Sequence, residues 1–475
     1  MCKKILYQIL VLSLLGMTSS NEVLAERHTT KGHEQRVERQ LLSSEQLLED
    51  LAFIKRSIAS VHPEPGFTAN LPQVEYIFRE LETRFRRPMD RDAAWRHLSK
   101  LNPYFSDGHF YIRYQSIKDE LVRHQAQGEG VFPFDVDVQT SSLGNLKAVI
   151  RGGIEDDRGS RWSGYEIIQI NHKPIEEIVR ELLSGMPGDT TGFGANLLSR
   201  RFWFEYLKRF GAAPSFDLLL RKDRGTISIR QRASMKLPAA LAEDTKFEEQ
   251  FKFEILDHQT ALLTISEFAW EQDEKSYFEF TRDAFKQMRE RGIQRLFIDI
   301  RENTGGNDHM WKLGLLNYFS DKRYRNGSSY RKRVLEGRQS GTEKVGDVVD
   351  GFVDTWVEPN TNEPYFFKGK VYLLIGRLTY SSSILLTNVV QDFGFATVVG
   401  EPSTVRARQT GGINQVNILP NSKLEIVIPR FIVDRPSGKR MPVLVQPDIV
   451  LKDDPLDKRA LVRELQRILD TKSEH

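Results

Sequence analysis

The chain has 475 residues but only one cysteine, Cys2. Without a second cysteine no intramolecular disulfide can form, so the fold must depend on its buried core. The sequence also lacks an H-E-x-x-H motif, a cysteine cluster and the G-x-G-x-x-G and G-K-[ST] patterns. These absences argue against a metal site and against nucleotide binding. We therefore expect neither a metal ion nor an organic cofactor.

Neither sign of charge dominates the sequence. The 68 basic and 65 acidic residues give a net charge of +3. This near balance argues against nucleic acid as the main partner. A hydrophobic fraction of 39% and a charged fraction of 28% are typical of soluble globular proteins. A chain of this length is expected to form about two to four domains.

Long apolar runs are scarce, and the first residues hold the only marked one. Lys3 and Lys4 precede a short apolar segment, residues 5–17, and Ala25 is a small residue at its downstream end. This pattern predicts a cleaved secretory signal peptide at residues 1–25, followed by a flexible polar leader at residues 26–43. We expect the mature protein to be soluble, without Cys2, and located in a bacterial periplasm or outside the cell. An uncleaved signal that serves as an anchor is the alternative.

Residues 44–127 are predicted to form an N-terminal helical region with three amphipathic helices. Near its end, Ser106, Asp107 and Gly108 predict a turn, and residues 110–114 alternate like a strand. His109 lies at the junction. A turn histidine is usually structural, but an imidazole titrates near neutral pH and also suits a general base. Both interpretations remain open at this point.

Residues 128–235 form a segment of short predicted strands with one helix, residues 175–183. Its length is close to that of one small domain. Residues 165–175 resemble a turn of PDZ domains, although Tyr165 stands where an aspartate is usual and His172 where a glycine is usual. This resemblance implies a PDZ-like domain. A plain β-rich insert without a peptide groove is the alternative.

Residues 250–455 show a mixed α/β pattern, and residues 456–475 are predicted to be a C-terminal helix and tail. The strand predicted at 295–301 leads into the glycine-rich turn 304–307. Such turns expose backbone N–H groups and suit an anion. Residues 321–333 are basic and contain glycine and serine, which predicts an exposed loop.

Three consecutive serines follow a predicted buried strand, residues 371–375. Ser381, Ser382 and Ser383 open a helical apolar pattern that ends at Gly394. At such a strand-to-helix turn the first N–H groups are unpaired and the helix dipole is positive, which favours a developing oxyanion. The serines are therefore either helix caps or candidates for a nucleophile.

Three motifs occur in a fixed order: Asp107-Gly108-His109, residues 298–306 (IDIRENTGG) and residues 379–401, which begin TYSSS and are followed by the short motif TGG at residues 410–412. Together they resemble the C-terminal-processing (tail-specific) serine peptidases, in the branch similar to tricorn protease and the interphotoreceptor retinoid-binding protein repeats. The resemblance implies an α/β fold with a crotonase-like (ClpP/crotonase) catalytic domain at 250–455 and a PDZ-like domain inserted at 128–235.

The same resemblance implies the site residues. Ser381 corresponds to the nucleophile, and the position of the tail-specific base lysine holds Arg406, which cannot be deprotonated. His109 corresponds to the base of the other branch. Donors for an oxyanion are implied at Gly305, Gly306 and Ser382.

A carboxylate that supports the base is implied shortly before residues 447–449, but residues 438–446 contain none. Asp434 and Glu425 are possible substitutes, and the sequence does not favour either.

We therefore expect an exported serine peptidase that cleaves flexible or unfolded polypeptides, with Ser381 as nucleophile and His109 as general base. The PDZ-like domain would present the polypeptide by strand addition. The alternatives are a non-catalytic protein that binds an apolar ligand or peptide on the same fold, and a degenerate peptidase kept as a scaffold. No pattern specifies the substrate or the oligomeric state.

Overall fold

The computed structural model describes residues 41–141, 144–154, 161–241, 246–270, 273–411 and 415–471. The predicted signal peptide and residues 26–40 of the predicted leader lie outside this part. The last leader residues differ from the prediction, because Leu41 and Leu42 form strand β1 and pair with β2, residues 89–90.

The N-terminal helical region buries one face of each main helix. In the first helix Leu47, Leu51 and Ile54 follow a spacing of three and four and are fully buried. Ser43 starts this helix with a reciprocal capping box with Gln46. The third predicted helix, residues 93–101, corresponds to α3, whereas α4 and α5 were not predicted. The elements are β1 (Leu41–Leu42), α1 (Ser44–Val61), α2 (Leu71–Arg84), β2 (Met89–Asp90), α3 (Arg91–Leu98), α4 (Leu101–Phe105), β3 (Tyr111–Arg113) and α5 (Ile117–Ala126).

The insert, residues 128–235, contains an antiparallel sheet in the order β4-β5-β6-β8-β9, with β7 paired to β6. The sequence predicted four of these six strands and the helix at 175–183, but not the two-residue strand β7, the last strand β9 or two further helices. The elements are β4 (Phe134–Thr140), β5 (Leu146–Gly153), β6 (Glu166–Ile170), β7 (Lys173–Pro174), α6 (Ile175–Leu183), α7 (Thr191–Ser199), α8 (Phe202–Phe210), β8 (Ser215–Lys222) and β9 (Gly225–Arg232).

The helical region and the insert share one hydrophobic core. Tyr114 packs edge-on against Phe204 of α8, with ring centroids 5.7 Å apart. The buried Lys208 Nζ donates to Glu120 of α5 at 2.6 Å and to Asp92 at 3.2 Å. The boundary predicted at residue 128 therefore separates a mainly helical segment from a segment with a sheet, but the two segments share one hydrophobic core.

The α/β domain, residues 250–455, is built on a six-stranded sheet in the order β10-β11-β12-β15-β16-β21. Only β10 is antiparallel. Helices α10, α11 and α12 contribute to the core on one face, and α13 packs against the other. The elements are α9 (Phe247–Gln250), β10 (Phe251–Ile255), β11 (Thr260–Ile265), α10 (Glu274–Glu290), β12 (Arg295–Asp299), α11 (Asp308–Gly314), β13 (Ser329–Arg333), β14 (Val348–Phe352), β15 (Lys370–Ile375), α12 (Ser382–Phe393), β16 (Thr397–Gly400), β17 (Gln409–Gly411), β18 (Gln415–Ile418), β19 (Glu425–Ile428), β20 (Phe431–Val433), β21 (Ile449–Val450) and α13 (Ala460–Thr471).

Two small sheets connect the parts of the chain. One has the order β14-β13-β20-β17, so the loop predicted at 321–333 is wrong for residues 329–333, which form the inner strand β13. The other has the order β18-β19-β3, in which Ile112 of the helical region pairs with Ile426. This pairing fixes the histidine turn, just before β3, against the α/β domain.

No helix in the described part of the chain is both long and apolar enough to cross a lipid bilayer.

Candidate active site

Ser381 lies between β15 and α12, at the carboxyl ends of parallel strands, where open α/β sheets place their sites. Its backbone adopts φ 55° and ψ −123°, a conformation that costs a residue with a side chain about 1–3 kcal/mol. Its hydroxyl does not cap α12. The capping interpretation is therefore wrong for Ser381, whose Oγ points to His109 instead.

Asn303, fully buried after β12, holds the nucleophile turn in place. Its side-chain Oδ1 accepts from the Ser383 hydroxyl at 2.7 Å and from the Gly305 amide at 2.9 Å. Its Nδ2 donates to the Ile265 carbonyl at 3.1 Å, and its own carbonyl accepts from the Tyr380 amide at 3.1 Å. One side chain thus connects the glycine turn to the serine turn, and these bonds offset the strain at Ser381.

The hydroxyl of Ser382 is also used structurally. It accepts from Trp311 Nε1 at 2.8 Å and donates to Asp308. Both Ser382 and Ser383 are buried, so only the first of the three serines presents its hydroxyl to the cleft.

The predicted oxyanion donors differ in availability. The Gly305 N–H already donates to Asn303 Oδ1. Within the described residues, the amides of Gly306 and Ser382 have no acceptor. Gly305 has a steric role, since a Cβ there would lie 2.7 Å from the Ser381 Cβ. The geometry leaves Gly306 and Ser382 as the available donors.

The structure brings His109 to Ser381 across 272 residues of sequence. His109 Nε2 lies 2.9 Å from Ser381 Oγ, which is hydrogen-bonding distance. His109 Nδ1 lies 3.0 Å from both Thr410 Oγ1 and the Tyr380 hydroxyl. The imidazole therefore has a partner for each ring nitrogen.

The environment of His109 keeps its ring neutral. Burial lowers the pKa of the His109 imidazole to about 4, and the negative charge of Asp189 only partly opposes this effect. A neutral imidazole is the form that can accept a proton from a serine hydroxyl.

Two carboxylates lie behind the histidine, Asp107 and Asp189. Asp107 Oδ1 accepts from Thr410 Oγ1 at 2.8 Å and from the His109 amide at 2.7 Å. Asp189 Oδ1 accepts from the Tyr380 hydroxyl at 3.1 Å. Burial raises the pKa of both carboxyls, and for Asp189 the neighbouring Asp107 charge raises it further.

The two acids left open by the sequence lie elsewhere. Glu425 pairs with Arg113 at 2.9 Å, and Asp434 pairs with Arg408 at 2.7 Å. Arg406 does not act as a base. Its guanidinium donates to the Ser106 carbonyl at 2.6 Å and lies 3.9 Å from Asp189 Oδ1, where it supplies positive charge to the two buried carboxylates.

The serine and the histidine open into a cleft of about 580 Å³. Phe193, Leu197 and Trp203 of the insert form an apolar wall, and Gly306 lines the cleft near the serine. The apolar wall suits an apolar side chain next to a reacting carbonyl, and Arg200 and Arg201 also line the cleft. Among the described residues no group of three histidine, cysteine or acidic side chains could hold a metal ion.

A serine with a neutral imidazole on one side and free backbone amides on the other has the geometry of a serine hydrolase site, here on an α/β sheet. The class of protein is a serine-type peptidase, because residues 259–451 match the profile of peptidase family S41. This match agrees with the resemblance to C-terminal-processing peptidases that the sequence motifs predicted. The non-catalytic binding protein considered from the sequence is thereby disfavoured.

Two solved structures of CPAF show a similar fold. A serine-to-alanine mutant of CPAF has 14% identity and a TM-score of 0.66, covering 90% of this chain and 96% of that chain. Mature CPAF complexed with lactacystin has 14% identity and a TM-score of 0.64, covering 90% and 97%. The photosystem II D1 C-terminal processing protease has 15% identity and a TM-score of 0.46, covering 88% and 96%. No curated protein matches the chain.

Sequence reasoning missed the residues behind the histidine. Asp107 and Thr410 belong to short motifs that were recognised, but neither was assigned a role. Asp189 lies in the insert, 80 residues after His109, in a turn with no catalytic pattern. Only the three-dimensional packing brings it to the site.

Proposed function

We propose that the chain is an exported serine peptidase that cleaves peptide bonds in flexible or unfolded polypeptides, with Ser381 as nucleophile and His109 as general base. The observation that carries this proposal is the 2.9 Å contact between Ser381 Oγ and His109 Nε2. The match of residues 259–451 to peptidase family S41 supports peptide bonds as the substrate.

The chemistry follows from the geometry. His109 Nε2 takes the hydroxyl proton as Ser381 Oγ forms a bond to the scissile carbonyl carbon. The resulting oxyanion accepts from the Gly306 and Ser382 amides. The imidazolium then gives its proton to the leaving amine as the C–N bond breaks. The same imidazole then takes a proton from water as the water oxygen bonds to the acyl carbon, and it gives that proton to Ser381 Oγ as the bond between the acyl carbon and Oγ breaks.

The architecture we propose for this function is a crotonase-like catalytic domain with a PDZ-like insert. The parallel sheet with helices on both faces supports the first assignment, and the antiparallel sheet of the insert, capped by α6, supports the second. A flexible polypeptide segment could add as a strand to an edge of the insert sheet, where β4 and β9 are the outer strands. The signal-like first 25 residues support export to a periplasm or to the exterior.

The test is digestion of reduced, carboxymethylated α-lactalbumin beside the native protein by the purified chain. We expect cleavage of the unfolded form, and loss of cleavage in Ser381→Ala and in His109→Ala while both variants keep their circular dichroism spectra. Cleavage by Ser381→Ala would overturn the assignment of the nucleophile. A folded wild-type protein that cleaves neither form would indicate a degenerate scaffold.

A second substrate pair separates carboxyl-end trimming from internal cleavage. Two fluorogenic peptides of the same sequence would differ only in a free or an amidated carboxyl terminus. A strong preference for the free terminus would identify trimming, and equal rates would identify an endopeptidase.

A further inference from the structure

No carboxylate in the described structure directly contacts the inner nitrogen of the catalytic histidine. The nearest carboxylate oxygen, Asp107 Oδ1, lies 3.8 Å from His109 Nδ1. The two atoms within hydrogen-bonding distance are the hydroxyl oxygens of Thr410 and Tyr380. A hydroxyl can donate or accept, so these two groups alone would not determine which ring nitrogen carries the proton.

The carboxylates behind the hydroxyls remove this ambiguity. Tyr380 donates its proton to Asp189 Oδ1, and Thr410 donates its proton to Asp107 Oδ1. Each hydroxyl then presents only lone pairs to His109 Nδ1. The proton of the neutral imidazole must therefore reside on Nδ1, which leaves Nε2 free to accept from Ser381.

Asp189 is held firmly in this position although it belongs to the insert. Its Oδ1 also accepts from the Gly108 amide at 3.1 Å, and its Oδ2 accepts from the Arg406 amide at 3.0 Å. The start of α7 is anchored to the α/β domain by Thr190 Oγ1, which donates to the Thr404 carbonyl at 2.8 Å. Asn196 of α7 donates to the Arg377 carbonyl at 2.9 Å. The insert therefore places a buried carboxylate behind His109, and both oxygens of this carboxylate accept hydrogen bonds.

We propose that Asp189 is a positioning residue of the peptidase reaction, which acts through the Tyr380 hydroxyl to hold His109 in the Nδ1–H tautomer. The insert then completes the active site as well as presenting substrate. This inference rests on the proposed roles of Ser381 and His109.

The charge balance of the site agrees with this role. The titratable and charged groups around His109 are Asp107, Asp189, Tyr380 and Arg406. When His109 takes the serine proton, a buried imidazolium forms. A negative Asp189 stabilises it through two successive hydrogen bonds, from His109 to Tyr380 and from Tyr380 to Asp189, which we call the relay. A protonated Asp189 would instead donate to Tyr380, which would then donate to Nδ1, so the direction of the relay would be reversed.

The test compares kcat and KM on fluorescein-labelled casein for the wild type, Asp189→Asn, Tyr380→Phe and the double variant. In Asp189→Asn an NH₂ group must face either the Arg406 N–H or the Tyr380 oxygen, so the relay is broken or reversed. We expect kcat to fall about 10²-fold in each single variant, a smaller loss than for an aspartate in direct contact with the base, with KM unchanged. The double variant should be no slower than the slower single variant, because both changes break the same path.

Glu176→Gln is the matched control, since it neutralises an exposed carboxylate of the insert that pairs with Arg180 and does not contact the site. Its kcat should stay near the wild-type value. A wild-type kcat in Asp189→Asn or in Tyr380→Phe would overturn the inference, and so would losses that multiply in the double variant or an equal loss in Glu176→Gln. Ser381→Ala, measured in parallel, distinguishes a failure of this inference from a failure of the proposed function. If it is inactive while Asp189→Asn keeps full activity, the inference fails and the proposed function stands.

Discussion

The two sides of the candidate active site are built in different ways. The serine side comes from neighbouring elements of one sheet, where the ends of β12 and β15 meet and Asn303 connects them. The histidine side comes from three separate parts of the chain: His109 from the helical region, Asp189 from the insert, and Thr410 from β17. The serine side is therefore built from neighbouring elements of one domain, whereas the histidine side depends on contacts between distant parts of the chain.

Because of this difference, we expect different kinds of substitution to inactivate each side. The serine side stores backbone strain at Ser381 and needs glycine at two neighbouring positions with positive φ, so it is sensitive to small changes in the backbone. The histidine side depends on packing between parts distant in sequence, through the β3–β19 pairing and the buried Lys208 cluster. It should be sensitive to loss of docking. The predictions below test this contrast, from the largest expected effect to the smallest.

Gly306→Ala should cause the largest loss, on the serine side. A Cβ at Gly306 would lie 2.1 Å from the Phe268 carbonyl oxygen, and its φ is 128°, so the turn must move and carry the oxyanion amide away. We expect kcat to fall about 10³-fold, as when one oxyanion donor is lost. Gly292→Ala is the control, because Gly292 also has a positive φ but open space around it. A Gly306→Ala enzyme with near-normal kcat would show that this amide is not a donor.

On the histidine side, Asp107→Asn should lower kcat by about 10²-fold, because the Thr410 hydroxyl loses the carboxylate that orients it. The measurement is the steady-state rate on unfolded polypeptide, together with the melting temperature. The matched controls are Glu425→Gln and Asp434→Asn, the two acids that pair with arginines away from His109. If either control lost activity as Asp107→Asn does, the carboxylate assignment would be wrong.

The contrast between the two sides also explains what the sequence could predict. The serine turn follows from a local pattern, an apolar strand, a turn and a helical repeat, which lies within one window of the chain. The bounds of α6 and the helix end at Gly394 were predicted for the same reason. Asn303 and Thr410 lay inside recognised motifs, but their roles depend on contacts that no local pattern encodes.

Long-range features were not accessible in this way. Asp189 has no periodic or motif signal, and its role appears only when α7 packs beside Tyr380. Strand β13 was predicted as a loop because its residues are polar and basic, whereas its pairing with β14 and β20 overrides that local preference. The helices α7 and α8 were missed because the segment outside residues 175–183 was interpreted as β-rich.

Lys208→Met tests the docking of the histidine side. In the wild type the Lys208 ammonium is fully buried and pairs with Glu120 and Asp92. The methionine variant would remove this shared partner from both carboxylates. We expect a loss of about 2 kcal/mol in the free energy of unfolding, less than for a fully unpaired buried charge because Arg91 and Arg123 still contact Glu120. Urea titration measures this loss. An unchanged urea midpoint would mean that the cluster does not hold the helical region to the insert.

His62→Gln should have the smallest effect, and only in acid. Burial first, and the Arg333 charge second, lower the pKa of His62 to about 4. Because the unfolded chain binds the proton more readily, stability falls as the pH drops from about 6.5 toward 4. At pH 5.5 this histidine should cost about 1 kcal/mol relative to pH 8, and the glutamine variant should lose less stability over that interval. His258→Gln, on an exposed turn, is the control. An identical pH profile in His62→Gln and wild type would contradict the effect.

The most direct test of the central claim is the labelling rate of Ser381 by a fluorophosphonate probe. The claim is that a strained serine on one side is activated by a histidine delivered from the other. Labelling should map to Ser381 by peptide mass spectrometry, disappear in Ser381→Ala and slow by at least about 10³-fold in a folded His109→Ala variant. Labelling of His109→Ala at the wild-type rate would contradict the account, because the serine would then be activated without the histidine.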